Sequence, residues 1–183
     1  MRHGETAWSL SGQHTGRADI PLTAHGETEA RQLGERIRSI QFDHVLTSPL
    51  QRARQTCELA GCGAHSQVEV DLIEWDNGEY EGQTHADVYK QRPDWNLFRD
   101  GCPNGEMPGE ISDRADRLIE RLKSLDGNVA LFSHSHLGRV LVARWIGAPV
   151  QTGQHFILDT GSLSVLSYQR DHNDVPAIAL WNS

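Results

Sequence analysis

A short apolar run, Asn128 to Ser133, hands over almost at once to helical periodicity from Leu137 to Trp145. A buried strand that feeds a helix through a minimal turn is the repeating unit of layered α/β folds, and little else accommodates it. The same alternation recurs upstream. Ala30, Leu33, Ile37 and Ile40 mark one face of a helix from about Gly26 to Ser39, and His44 to Thr47 reads as a strand. Ser48-Pro49 reads as an N-cap and first helical residue, opening a helix with Leu50, Ala53, Cys57 and Ala60 inward and Gly61 and Gly63 at its end.

Residues 68 to 109 are less regular and rich in Gly, Pro, Trp and Asp, as expected of an excursion over one end of the sheet. Ile111, Ala115, Leu118, Ile119, Leu122 and Leu125 restore a helical face that ends near Asp126-Gly127. Two late strands, about Leu163 to Tyr168 and Ala177 to Trp181, close the chain. The expectation is one domain over residues 1–183, an α/β fold of three α/β/α layers around a mostly parallel sheet. A nucleophile on a turn normally follows a buried strand, yet only Met1 precedes Arg2. Either the chain begins upstream, with its first strand truncated here, or the sheet is built without that strand. The former is the expectation, because a central strand contributes ladder bonds and apolar burial.

Charge narrows the partners. A formal net charge of −8 argues against a nucleic-acid binder, whose affinity rests on a basic surface. A mean hydropathy of −0.54, with no apolar run long enough to span a bilayer, argues for a soluble protein and against a membrane partner. Cys57, Cys62 and Cys102 are odd in number and lack paired zinc-ligand spacing, which fits reduced thiols in the cytoplasm. His134-Ser135-His136 offers two imidazoles but no acidic third ligand nearby, so no metal or other cofactor is expected. Acidic charge and exposed aromatics such as Trp95 permit a homodimer without requiring one.

The chemistry-bearing segments all suit a phosphoryl group. Arg2-His3-Gly4-Glu5-Thr6 sets an imidazole nucleophile beside a guanidinium that can hold phosphoryl oxygens, with Gly4 letting backbone approach the anion. Arg52 falls on the first turn of a helix, where free amides already favour anions, whereas Arg54 reads as a solvated charge. Phe132-Ser133-His134 ends a strand at the carboxyl edge of the sheet, within reach of the same anion. Arg139, about a turn further on, faces that cleft or the solvent, and His136 reads as structural. Leu72 to Gly82 carries the carboxylates Glu74, Asp76, Glu79 and Glu81. Glu74, after two apolar residues, is the best placed to be held protonated as a general acid. The polar stretch Trp8 to Gly16 could frame a second substrate group.

In this order and spacing, Arg2-His3-Gly4-Glu5-Thr6, Ser48-Pro49 with Arg52-Ala53, Leu72-x-Glu74 with Glu81-Gly82, and Ser133-His134 resemble the histidine phosphatase superfamily, in its phosphoglycerate mutase-like branch. The resemblance implies a phosphoglycerate mutase-like fold and a phosphohistidine formed on His3. It makes Arg2, Arg52 and protonated His134 the phosphate pocket, Glu74 the proton donor, and metal unnecessary. Trp8-Ser9, Gly12 to Gly16, Glu74-Trp75, Tyr80-Glu81-Gly82 and Phe98 to Cys102 are similar to the sedoheptulose-1,7-bisphosphatase group. That likeness places Ser9, His14, Thr15, Asn77 and Arg139 along the substrate site, although an aromatic residue is usual at position 77. Acid phosphatases and phytases of the secreted branch place an Asp where Ser135 stands. Phosphoglycerate mutases usually carry basic residues where Gln83-Thr84-His85 follows. The expected activity is hydrolysis of small phosphorylated metabolites, sugar phosphates or bisphosphates foremost, releasing inorganic phosphate. The alternatives are a phosphoglycerate mutase and a non-catalytic phospho-ligand binder.

Overall fold

Apolar side chains on both faces of two short strands, with a third strand at their edge, set the layering. In the computed structural model, which describes residues 1–183 apart from the side chain at 173, the strands are β1 (His44–Thr47), β2 (Ser66–Val68) and β3 (Val129–Phe132). They form a parallel sheet in the order β2-β1-β3, with Val45 opposite Ala130 and Thr47 opposite Phe132. Because side chains alternate across a strand, Val45, Ala130 and Phe132 enter one core with Leu33, Ile37, Cys57 and Ala60. Those partners come from helices α2 (Ala24–Ile37) and α3 (Gln51–Leu59). Leu46 and Leu131 enter a second core with Leu72, Trp75, Ile111, Leu118, Leu137 and Val140. There the covering helices are α6 (Pro108–Lys123) and α7 (Ser135–Trp145). Helices on both faces of a parallel sheet complete the three layers.

The other elements are shorter. Helix α1 (Ala7–Ser11) lies within the stretch read as polar, and α4 (His85–Gln91) and α5 (Leu97–Asp100) lie in the excursion. The chain closes on an antiparallel hairpin of β4 (Val165–Gln169) and β5 (His172–Leu180), separate from the parallel sheet. Among the described residues no helix is long and apolar enough to cross a membrane.

The N-terminal residues do take a place beside β3. Arg2 bridges Ser133 in parallel, the Met1 amino group donates to the Leu131 carbonyl, and the amides of Ser133 and His3 donate to Met1 and Ser133. Three chain segments therefore end at one sheet edge: residues 1–3 at His3, β1 at Ser48 and β3 at His134.

Candidate active site

Glycine at position 4 allows close packing rather than approach to an anion, contrary to the sequence expectation. A Cβ there would lie 2.3 Å from the Gly26 carbonyl oxygen of α2, and the Gly4 amide donates to Thr56 Oγ1 on α3. The turn carrying His3 is thus clamped onto two helices. His3 is buried, and its Nδ1 lies 2.7 Å from the Gly4 carbonyl oxygen. A carbonyl only accepts, so Nδ1 carries the proton and Nε2 keeps its lone pair. Burial, then Arg2 and Arg52, hold this imidazole well below its ordinary pKa. It is a neutral imidazole next to two guanidiniums.

Arg52 is fully buried in the first turn of α3. Its Nη1 and Nη2 donate to the carbonyls of Ala18 and Gly16, and its Nε donates to His134 Nδ1 at 3.1 Å. Glu81 fixes that loop by accepting from the amides of Gly16, Arg17 and Ala18, a supporting role that its sequence context did not announce. Arg54, by contrast, is exposed. The His134 ring stands 5.2 Å from that of His3.

Three expectations are corrected here. His134 is neutral, not protonated: its Nδ1 accepts from Arg52, its Nε2–H donates to Ser48 Oγ at 2.7 Å, and burial, then Arg52, push its pKa well down. Ser48 therefore does not cap α3. The helix begins at Gln51, with Leu50 at the N-cap and no side-chain cap, because the Ser48 hydroxyl serves His134. Glu74 is also not held protonated. It sits beneath the start of α7 and accepts from the amides of Leu137 (2.9 Å), His136 (3.0 Å) and Trp75 (2.9 Å). Burial alone would raise its pKa, but the His136 side chain and the Leu137 amide outweigh it and hold the carboxyl well below the usual range. Amide donors to a carboxylate act in this way at a helix N-terminus, where the dipole adds to them.

Arg2 completes the cationic wall. One Nη donates to the Leu158 carbonyl, and its buried Nε has no partner. Arg139 stacks over Phe98, 4.7 Å from the ring centroid, and donates to the carbonyls of Gly153 and Gln154. His14 is buried, with its ring 5.4 Å from Trp95 and 6.5 Å from His136. The remaining sequence candidates make no polar contact with this group. Ser9 closes a capping box with Thr6, the Thr15 hydroxyl donates to the Gln13 carbonyl, and Asn77 is buried with its Oδ1 against Cys102 Sγ. His136, read as structural, lies 3.6 Å from Glu74 through Nδ1. Nothing in its spacing from His134 indicates that contact, because Glu74 arrives from a distant loop. Among the described residues no group of three or more His, Cys, Asp or Glu side chains is placed to hold a metal ion.

The burial of neutral imidazoles has a consequence for stability. His3 and His134 have folded-state pKa values below the unfolded 6.5, and His14 is pushed down to about 4 by burial and by its neighbours His136 and His85. Between the two values the unfolded chain binds the extra proton, so stability is full above about pH 6.5 and falls as pH drops below it. The slope is about 1.4 kcal/mol per pH unit for each such histidine. Glu74, depressed below 4.5, adds a second loss only at more acid pH. Thermal melts from pH 8 to 4 should show Tm falling in these two windows. A Tm constant between pH 7 and 5 would refute the neutral assignments.

A neutral imidazole, three guanidiniums and a carboxylate gathered at one sheet edge suit transfer of a phosphoryl group, and known phosphatases match the chain. It matches the family described as the histidine phosphatase superfamily (branch 1) over residues 1–182. It is 35% identical to an acid phosphatase of Mycobacterium tuberculosis over 98% of this chain and 90% of that protein. It is 33% identical to the sedoheptulose 1,7-bisphosphatase of Saccharomyces cerevisiae, again over 98% and 90%. The solved structure of a Mycobacterium tuberculosis open reading frame product superimposes with a TM-score of 0.92, at 34% identity, over 99% of this chain and 94% of that one. The chain belongs to the histidine phosphatase superfamily, and it is a phosphoric monoester hydrolase.

Proposed function

We propose that this phosphatase hydrolyses phosphomonoesters of small metabolites, sugar phosphates or bisphosphates first among them, through a phosphohistidine on His3 and without a metal. The observation that carries this reading is the His3 Nδ1–H bond to the Gly4 carbonyl, which leaves the Nε2 lone pair free beside Arg2 and Arg52. Nε2 attacks phosphorus while Arg2 and Arg52 stabilise the equatorial oxygens, with neutral His134 holding Arg52 through its Nδ1. The same dianion raises the Glu74 carboxyl, which protonates the departing alcohol. As carboxylate it then takes a proton from the water that hydrolyses the N–P bond.

The sugar preference draws on the name of the yeast relative and on Arg139, whose guanidinium lies over Phe98 beside the site; Trp95, expected from the sequence to be exposed, is buried with Phe98 in the core. A cytoplasmic location accords with three free cysteines, of which Cys57 and Cys102 are buried. The test is phosphate release from sugar phosphates, sugar bisphosphates, phosphoglycerates and an aryl phosphate, with and without EDTA. Strongest release from a sugar phosphate or bisphosphate, unchanged by EDTA, is expected. Loss of activity with EDTA would remove the metal-free mechanism, and interconversion of phosphoglycerates faster than their hydrolysis would make the protein a mutase.

A further inference from the structure

The carboxyl required as an acid is ionised in the free protein and almost sealed from water. The Glu74 side chain is 3% exposed, and its oxygens already accept from three backbone amides. A proton must reach it through another group. His136 is in position: its Nδ1 lies 3.6 Å from Glu74 Oε2 and has no hydrogen-bond partner, in a side chain that is 21% exposed. The ring therefore joins a buried carboxylate to the open cleft.

Phe98 flanks the His136 ring at 6.1 Å. The titratable and charged neighbours besides Glu74 are His14, at 6.5 Å, His85, whose ring is 5.5 Å from that of His14, and Arg139, whose guanidinium lies over the same Phe98 ring. Burial holds His14 near 4 and also lowers His85. The buried Nε2 of His14 is unpartnered as well.

We infer that His136 stores the proton of the reaction between turnovers and passes it to Glu74 when substrate binds. The inference rests on the mechanism proposed above. Before binding, the His136 Nδ1–H faces the Glu74 carboxylate. The substrate dianion draws the Nδ1 proton onto Oε2 while Nε2 takes one from water, leaving His136 with its proton on Nε2. Glu74 delivers the proton to the ester oxygen as the P–O bond breaks and the His3 N–P bond forms. Attacking water gives one proton to Glu74 and keeps the other on the released phosphate. When phosphate leaves, the Glu74 proton returns to His136 Nδ1, Nε2 gives its proton back to water, and the cycle closes with no net proton gained or lost.

His136→Gln and His136→Asn, checked by thermal melts, should lower kcat/KM on a sugar phosphate at least about tenfold. The same variants should leave kcat/KM on p-nitrophenyl phosphate within about threefold, because nitrophenolate departs without an acid. Added imidazole should restore the sugar phosphate rate in proportion to its concentration while leaving the wild type unchanged. Equal losses on both substrates, or no response to imidazole in either folded variant, would overturn the storage role. Failure of the underlying mechanism would appear separately, as a wild-type protein whose activity survives loss of His3.

Discussion

His3→Ala should lose at least about four orders of magnitude of turnover on every phosphomonoester, with the fold retained. No neighbouring imidazole can substitute. Both nitrogens of His134 are engaged, one accepting from Arg52 and the other donating to Ser48, while His136 sits over Glu74 on the far side of the cleft. The wild type mixed rapidly with substrate and quenched in base should carry phosphate in an acid-labile, base-stable adduct, and the alanine variant none. Because burial and two guanidiniums keep His3 unprotonated, its attack should not weaken as pH falls through the ordinary histidine range. A variant keeping a tenth of the wild-type rate would remove His3 from the reaction, whatever happened to the other residues.

The sequence carried more of this site than of its electrostatic state. Arg52 and His134 lie at the ends of segments whose periodicity is plain, and a parallel sheet brings such ends together at its carboxyl edge; Arg2 and His3 were legible from their motif alone. The layers were legible for the same reason: Val45 and Leu46 alternate between two cores whose helices announce themselves by their spacing. Strand β2 was not legible, since Ser66-Gln67-Val68 is short, largely polar and at the sheet edge, where one neighbour suffices. Protonation went astray where long-range contacts decide it. Leu72, Ile73 and Trp75 suggest an apolar setting for Glu74, but the amides that ionise it come largely from residues 136 and 137. Ser48 likewise reads as a helix cap only until His134 takes its hydroxyl.

Glu74→Gln should divide the reaction by leaving group. The glutamine keeps nearly the volume of the carboxylate, and its carbonyl oxygen can replace Oε1, which accepts from Trp75 and Leu137; its NH2 then faces the His136 amide without a bond, so thermal melts accompany the kinetics. What it lacks is a transferable proton. On an alkyl ester such as a sugar phosphate, kcat/KM should fall by about 10²–10⁴, the usual worth of a positioned acid. On p-nitrophenyl phosphate the first transfer needs no acid, so one equivalent of nitrophenolate should appear at close to the wild-type rate. Turnover should then stall, because the same carboxylate is needed as base to hydrolyse the phosphohistidine. That burst separates the two duties of Glu74 within one variant. Equal losses in kcat/KM on both esters, with no burst, would show that Glu74 only holds the start of α7 in place and that the proton comes from elsewhere.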